Sequence, residues 1–375
     1  MLQINNLFAI LLAKGGIMTK QFCLEDLGYD VFFESALDST RLSQSSPARV
    51  IAEYKEAYKV KGINGECTAK ITGKLRFQAS KREDYPAVGD WVAITQVDRK
   101  KTIIEAILPR KTMLRKKFSD KQEIQVIAAN LDTAFIVEAV DRDYNLNRLE
   151  RYLVLAKDGA IASVIVLNKT DLISPEELET KIRQLSKRFP DTAVITTSIA
   201  TEKGTAGLAT SIQKGKTYCF LGSSGVGKSS LINTLLGKNL IRTKEISLSS
   251  GRGKHSTTSR QVYILENGGI VIDNPGMREV GIADATTGVE GVFEEIVTTA
   301  QKCRYADCTH THEPGCAVQK AVKDKKIDGQ KFAHYKKLKK ETEYYTMTDY
   351  EKRQKDRKFG KFVKKALTQL KNKEL

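Results

Sequence analysis

The order of two motifs along this chain constrains its fold more than any other feature. The first motif follows the apolar run 163–167, and the second follows the run 218–221, about fifty residues later. Further apolar runs at 133–137, 193–196 and 270–272 alternate with helical stretches, which are 147–157, 175–188 and 229–236. This alternation predicts a parallel sheet covered by helices on both faces. Both motifs should therefore lie at the carboxyl edge of one sheet, where ligands bind in such folds.

The second motif has the sequence of a phosphate-binding loop. It runs through Gly222, Ser223, Ser224, Gly225, Val226, Gly227, Lys228 and Ser229, and Ser230 continues it into a helix. The glycines let backbone N–H groups turn inward around phosphates, and the helix N-terminus adds its positive dipole. We expect Lys228 to neutralise β- and γ-phosphate charge and Ser229 to ligate Mg²⁺.

The first motif has the sequence of a guanine-binding loop and consists of Asn168, Lys169, Thr170 and Asp171. The Asp171 carboxylate can accept hydrogen bonds from guanine N1–H and the exocyclic amine, whereas adenine offers no matching donors. Asn168 is expected either to contact the base or to hold neighbouring loops together, and the Lys169 stem to pack on the purine. After the run 193–196, Thr197 and Ser198 are candidates for a second base-contacting loop. The predicted ligands are therefore GTP and GDP.

Two further segments are candidates for elements that respond to the γ-phosphate. Asp273 follows the run 270–272 and can hold Mg²⁺ through water, and the Gly276 amide can contact the γ-phosphate. A threonine of the glycine-rich segment 251–258 could complete the Mg²⁺ shell. His255 in that segment could either orient the attacking water or be a solvated loop histidine. Met277 occupies the position at which many GTPases have a water-orienting glutamine, so slow intrinsic hydrolysis is expected.

In most GTPases the phosphate loop comes first and the guanine loop comes near the end. Here the guanine loop precedes the phosphate loop. The sequence therefore predicts a circularly permuted P-loop GTPase domain with a parallel sheet over residues 113–288. Permutation leaves each loop at the same sheet edge but places the switch at 273–276 just before the C-terminal region. We hypothesise that γ-phosphate sensing is thereby linked to that region.

Residues 46–112 have the pattern of a small β-barrel. Five β-rich segments, separated by glycine and proline turns, lie at 49–60, 66–72, 75–78, 90–96 and 102–108. Five short strands at this spacing favour an OB-fold barrel. The net charge of +17 and a pI near 9.4 point to a polyanionic partner, either nucleic acid or an anionic membrane. Together these features favour an RNA-binding barrel.

The C-terminal region, 289–375, is predicted to be a helical zinc-binding domain with a basic tail. The proposed ligands are three thiolates and one imidazole within fourteen residues, Cys303, Cys308, His310 and Cys316, with His312 as an alternative to His310. This set matches a closed, tetrahedral structural Zn²⁺ site. Residues 331–375 contain 15 Lys and Arg against 6 Asp and Glu, with tyrosines among them. Such a segment can bind nucleic-acid phosphates and stack on bases.

Residues 1–45 form an N-terminal extension to which we assign no specific role. Its apolar run, 7–13, is far shorter than a membrane span. It has no basic residue before it and no cleavage pattern of small residues after it, so a signal peptide is not favoured. Met18 is a possible alternative start, which would make the preceding residues an artefact. We expect a cytoplasmic protein that does not associate with membranes and acts as a monomer.

Residues 46–345 resemble the circularly permuted ribosome-associated GTPases of the small ribosomal subunit, because the motifs described above occur in the same order in that family. The segment from Asn145 to Tyr152 also resembles the family's helix before the guanine loop. The resemblance implies an enzyme of late small-subunit maturation that binds 16S rRNA near the decoding region. Hydrolysis would be stimulated by the 30S subunit, and other ribosome assembly factors would be partners. It also implies that His255 is the catalytic histidine and Thr257 the switch threonine that contacts Mg²⁺.

The chain departs from the family pattern at two positions. Ser256 replaces the first threonine of the usual His-Thr-Thr, and Ile199 follows Ser198 where alanine is frequent. Two other functions stay open at this point. One is an RNA-binding assembly factor that uses GTP only as an occupancy signal, and the missing glutamine keeps this alternative open. The other is a membrane-associated GTPase that uses the basic tail on anionic lipid, although the tail lacks a strong apolar helix face.

Overall fold

The structure is a computed structural model that describes most of the chain. The described residues are 22–42, 44–55, 57–98, 101–117, 124–141, 144–241, 260–273, 285–348 and 350–355, with isolated positions beyond. They form a small β-barrel, a mainly parallel α/β sheet and a C-terminal group of helices. No helix in these ranges is both long and apolar enough to cross a membrane.

The N-terminal barrel has five strands. They are β1 (Ser46–Glu53), β2 (Tyr58–Gly62), β3 (Gly65–Ile71), β4 (Trp91–Asp98) and β5 (Lys101–Ile107). Their order is β1-β2-β3-β5-β4, and an antiparallel pairing of β4 with β1 closes the barrel. Small and branched side chains such as Ala48, Val60 and Ile104 fill its interior. The barrel is OB-like, as the sequence predicts.

Two of the predicted barrel segments are wrong in detail. The segment 49–60 is not one strand, because the chain turns after β1 and returns as β2. The segment 75–78 belongs to a short helix, α2 (Gly73–Gln78), between β3 and β4. The Thr72 hydroxyl accepts a hydrogen bond from the Leu75 amide and caps this helix at 3.1 Å. Phe77 is 91% exposed, so the alternation of apolar and polar residues here does not mark a buried strand face.

A hairpin, β6 (Met113–Lys117) and β7 (Ile124–Ala129), leads from the barrel into the α/β sheet. That sheet has the order β10-β9-β8-β11-β13-β12, with β12 antiparallel and its other strands parallel. Its strands are β8 (Thr133–Ala139), β9 (Ala162–Asn168), β10 (Ala193–Thr196), β11 (Thr217–Leu221), β12 (Gln261–Ile264) and β13 (Ile270–Asp273). All five apolar runs that the sequence predicts as parallel strands are strands here.

Helices cover both faces of this sheet. They are α3 (Leu146–Asp158), α4 (Pro175–Arg188), α5 (Ala206–Ser211) and α6 (Lys228–Leu236). Leu149 of α3 and Leu185 of α4 pack on one face, and Leu208 of α5 and Leu231 of α6 pack on the other. The sheet is therefore the buried central layer, and its carboxyl edge is left for loops.

The N-terminal extension is partly structured and packs on the barrel. Helix α1 (Val31–Ser39) and the turn before it bury Leu27 and Phe33 against Trp91. The buried Arg49 guanidinium donates to the backbone carbonyls of Leu27, Gly89 and Asn130. Burial lowers the pKa of Arg49 to about 10, which leaves it charged at neutral pH. Arg49 thus joins the extension, the barrel and the segment between β7 and β8, which leads into the α/β sheet.

Between the sheet and residue 346, the described part of the chain forms four helices. They are α7 (Thr286–Val292), α8 (Glu294–Ala300), α9 (Ala317–Lys323) and α10 (Gly329–Thr346). Phe293, Ile296 and Leu338 lie in their shared core. A β-carbon at Gly288 of α7 would lie 2.2 Å from the Val154 carbonyl oxygen of α3. This close approach docks the C-terminal helices directly on the α/β unit.

Candidate functional site

The phosphate-loop motif lies between β11 and α6, as the sequence predicts. Gly222, Gly225 and Gly227 all have positive φ values, of 144°, 86° and 100°. A β-carbon at Gly222 would lie 2.3 Å from the Val137 carbonyl oxygen, so only glycine fits there. The Lys228 ammonium donates to the carbonyl oxygens of Gly222 and Ser223, at 2.8 and 2.5 Å. The loop therefore curls around its own lysine at the start of a helix.

The guanine-loop motif lies at the end of β9 and is joined to the phosphate loop. The Asn168 side chain is 1% exposed, and its Nδ2 donates to the Val226 carbonyl oxygen at 2.8 Å. Its Oδ1 accepts from the Thr197 hydroxyl at 2.9 Å. Of the two roles that the sequence allows for Asn168, the structure shows the one that holds loops together. A β-carbon at Gly227 would lie 2.3 Å from Asn168 Nδ2, so Gly227 is required for this contact.

The third loop, after β10, meets the guanine-loop motif directly. Ser198 is 2% exposed, and its hydroxyl donates to Asp171 Oδ1 at 2.5 Å. The Thr170 amide donates to the Thr197 carbonyl oxygen at 3.2 Å. Lys169 has a φ of 62°, and its ammonium pairs with Asp141 at 2.8 Å. Three loops that are distant in sequence are thus hydrogen-bonded into one rim, with the Asp171 carboxylate held at a fixed position.

The candidate switch residues are only partly within the structure. Asp273 ends β13, which pairs with β11, so its side chain lies at the same sheet edge as the phosphate loop. Gly276, His255 and Thr257 lie outside the described residues. Their proposed roles rest on sequence alone.

Sequence reasoning missed the contact between Arg148 and the phosphate loop. Arg148, in the first turn of α3, donates from Nη1 to the Ser223 hydroxyl oxygen at 2.6 Å. Arg148 falls within the segment from Asn145 to Tyr152, which resembles the family's helix. No local pattern indicates its contact, because 75 residues separate it from Ser223.

The four proposed metal ligands converge in the C-terminal region. Their ligand atoms all lie within 4.8 Å of one another. Cys303 Sγ is 3.9 Å from Cys316 Sγ, and His310 Nδ1 is 3.6 and 3.5 Å from these sulfurs. Burial lowers the pKa of His310, and Lys339 acts in the same direction, which favours the neutral imidazole that binds metals. His312 is exposed, so His310 is the favoured ligand, and the four residues could hold a metal ion.

Comparisons with known proteins agree with this arrangement. A family model described as RsgA GTPase matches residues 107–283, and one described as 50S ribosome-binding GTPase matches residues 217–353. The small ribosomal subunit biogenesis GTPase RsgA 2 of Lactiplantibacillus plantarum is 40% identical over 307 residues, or 82% of this chain and 86% of that protein. This chain belongs to the RsgA GTPase family. The RsgA of Opitutus terrae, also a small ribosomal subunit biogenesis GTPase, is 40% identical over 86% of this chain and 90% of its own.

Solved structures show the same fold. The crystal structure of YjeQ from Thermotoga maritima matches with a TM-score of 0.60 and 28% identity, over 80% of this chain and 98% of that one. YloQ, described as a circularly permuted GTPase, matches with a TM-score of 0.58 over 81% of this chain and 97% of its own. Its 22% identity supports the fold alone. The predicted circular permutation is confirmed, and this RsgA-family chain is a GTP hydrolase.

Proposed function

We propose that this RsgA-family GTPase assists late maturation of the small ribosomal subunit, hydrolysing GTP slowly alone and faster on the 30S subunit. The observation that carries its nucleotide specificity is the rim in which Asn168 joins the phosphate loop while Ser198 orients Asp171. Relatives over most of the chain are named for small-subunit biogenesis. The family model described as 50S ribosome-binding GTPase matches only the part of the chain from β11 onward, whereas the relatives named for the small subunit match most of it. We therefore choose the small subunit as the partner.

Each nucleotide-binding residue then has a distinct role. Asp171 accepts hydrogen bonds from the guanine N1–H and amine, and Lys169 packs its stem on the base, while Asn168 and Thr170 fix the surrounding loops. The backbone from Gly222 to Gly227 binds the phosphates, and Lys228 neutralises them. Ser229 ligates Mg²⁺, and Ser230 follows at the first turn of α6.

The catalytic elements are proposed from sequence and family. Asp273 holds Mg²⁺ through water, and the Gly276 amide senses the γ-phosphate. Thr257 completes the Mg²⁺ shell, and His255 orients the attacking water in place of the missing glutamine. Because Met277 cannot orient water, turnover should be slow until the subunit aligns the catalytic loop.

We propose zinc as the metal of the Cys303, Cys308, His310 and Cys316 site. For Zn–S bonds of about 2.3 Å and Zn–N bonds of about 2.0 Å, a tetrahedron has S–S edges of about 3.8 Å and S–N edges of about 3.5 Å. The separations among Cys303, His310 and Cys316, of 3.9 Å between sulfurs and of 3.5 to 3.6 Å between sulfur and nitrogen, fit these edges, and Cys308 Sγ lies within 4.8 Å of all three. Three thiolates and one imidazole would fill the coordination shell, so the metal would be structural.

We further propose that 16S rRNA is bound by the barrel, 46–112, and by the C-terminal region, 289–375, on either side of the GTPase domain, 113–288. The excess of basic residues in the tail supports this division. Because small subunits are assembled in the cytoplasm, we place the protein there. Other assembly factors would be encountered on the same subunit.

A turnover assay tests the proposed function. GTP hydrolysis is measured with the purified chain alone, with 30S subunits and with 50S subunits at equal concentration. We expect stimulation by 30S subunits only. Normal GTP binding without stimulation would instead support an assembly factor that uses GTP as an occupancy signal. Sedimentation with anionic liposomes, but not with subunits, would support the membrane alternative.

A further inference from the structure

A basic cleft lies between the first turns of α3 and the facing side of α10. We call it the α3–α10 cleft, and its volume is about 640 Å³. It is lined by Asn145, Asn147, Arg148, Arg151, Gln330 and Lys337, among others. Gln330 and Lys337 are two helical turns apart on α10 and so share one face. Both helices therefore contribute nitrogen donors to the cleft.

The charged side chains that line the cleft are basic. Arg148, Arg151 and Lys337 line it, and no carboxylate does among the lining residues that the structure describes. On the two helices, Glu341 of α10 and Glu150 of α3 are engaged in ion pairs. Glu341 makes a bidentate pair with Arg151, at 2.7 and 2.6 Å, which fixes the guanidinium at the cleft wall. Glu341 offsets the charge of Arg151, and the nitrogen donors of Arg148 and Lys337 make the cleft suited to an anion.

The cleft is rigid because a buried ionic cluster docks its two helices. Glu150 of α3 is completely buried and accepts from Arg188 Nε at 2.7 Å and from His334 Nδ1 of α10. Arg188 also pairs with Asp328, the residue that caps α10, at 2.5 Å. A buried carboxylate is stable only with such partners, so the spacing of α3 and α10 is closely determined.

We propose that the α3–α10 cleft binds backbone phosphate groups of RNA. This inference rests on the proposed function and names one contact surface, formed where α3 of the GTPase domain meets α10 of the C-terminal region. The donors come from two helices around an open cleft, which suits a chain passing through rather than one small enclosed anion. Arginine and lysine bind phosphate oxygens, and the amides of Asn147 and Gln330 can bond to ribose hydroxyls.

The position of Arg148 gives this contact a consequence for GTP hydrolysis. The same guanidinium lines the cleft and donates to Ser223 of the phosphate loop. A phosphate group bound in the cleft would therefore reorient a direct partner of that loop. Subunit binding would be communicated to the nucleotide through one side chain, without involving the switch segments.

The test uses the full chain and purified 30S subunits. Lys337→Ala removes one exposed charge from the cleft, whereas Lys187→Ala removes an exposed charge from the last turn of α4, in the GTPase domain, as a matched control. Binding is measured from about 50 to 300 mM salt. We expect Lys337→Ala to weaken binding about 3- to 10-fold and to lower the slope of log K against log salt by about 0.7 to 0.9, the value for one phosphate contact. Lys337→Arg should restore both, and melting temperatures verify folding.

Each other outcome overturns the proposal. Equal losses for the Lys337 and Lys187 variants would show a general charge effect and no specific cleft contact. Tripolyphosphate is also titrated into the GDP-saturated chain. In one outcome, tripolyphosphate binds in a way that depends on Lys337 while Lys337→Ala leaves the salt slope of subunit binding unchanged. That result would assign the cleft to a free anion and not to RNA. If the unaltered chain does not bind subunits at all, the proposed function fails and the RNA assignment fails with it.

Discussion

Replacement of Asn168 by alanine tests the central contact of the nucleotide site. The change removes the donor to the Val226 carbonyl and the acceptor of the Thr197 hydroxyl, both in a buried setting. An orphaned buried polar group costs about 1–3 kcal/mol, and partial hydration of the cavity should keep the total at about 2–4 kcal/mol. Asn168→Ala should therefore destabilise the arrangement in which the phosphate and base loops are joined.

This cost should be measurable in binding and in stability. Since 1.4 kcal/mol is a factor of ten, GTP and GDP affinity should both fall by at most about 30- to 700-fold, because the part of the cost that already destabilises the nucleotide-free protein is not lost again on binding. The melting temperature without nucleotide should fall by roughly 4–16 °C. Calorimetric titration and thermal unfolding measure these quantities, and Asn239→Ala, at an exposed asparagine, should change stability by less than about 0.5 kcal/mol. Near-normal affinity, or a loss confined to GTP, would refute the role of Asn168 as the tie between loops.

Three further changes have defined outcomes. Asp171→Asn should shift preference from GTP toward xanthosine triphosphate, and unchanged base preference in competition assays would contradict the role of Asp171. A chelator that removes zinc should abolish hydrogen-exchange protection at 303–316 and weaken subunit binding, while GDP affinity survives; retained protection would argue against a structural metal. Glu150→Gln should lower the free energy of unfolding in urea by about 2–4 kcal/mol, because Arg188 loses a buried charge partner. Glu179→Gln, at an exposed glutamate, serves as the control. Equal effects of the two variants would show that the buried cluster does not stabilise the fold.

The placement of the candidate nucleotide-binding loops was largely predictable because each loop is short and continuous in sequence. The phosphate loop depends on glycines that adopt positive φ values and on a lysine at the start of a helix, and both features are local. The four metal ligands lie within fourteen residues, so their convergence needs only a tight loop. The barrel was predicted as a class, but 75–78 was assigned to a strand because alternation alone cannot reveal that Phe77 is exposed.

The link between nucleotide site and C-terminal helices illustrates what sequence could not supply. The motif order suggested that the segment after Asp273 carries this link, and that segment lies outside the described residues. The structure shows a second route through α3. Arg148 contacts the phosphate loop, and Arg151, less than one turn later, pairs with Glu341 of α10. These contacts join residues 75 and 190 positions apart, and no periodicity specifies such a pairing.

The sequence by itself determined the order of the loops, and with it the permuted connectivity, the nucleotide and the candidate metal ligands. These follow from residue types whose backbone freedom or donor chemistry acts over a few positions. Only the tertiary structure decided which of its possible roles Asn168 takes, how Arg49 joins three parts of the chain and where Glu150 is buried. Each of these depends on which distant backbone or side chain a buried polar group meets. That choice is made by the packing of whole elements, since an unpartnered buried group would be too costly to retain.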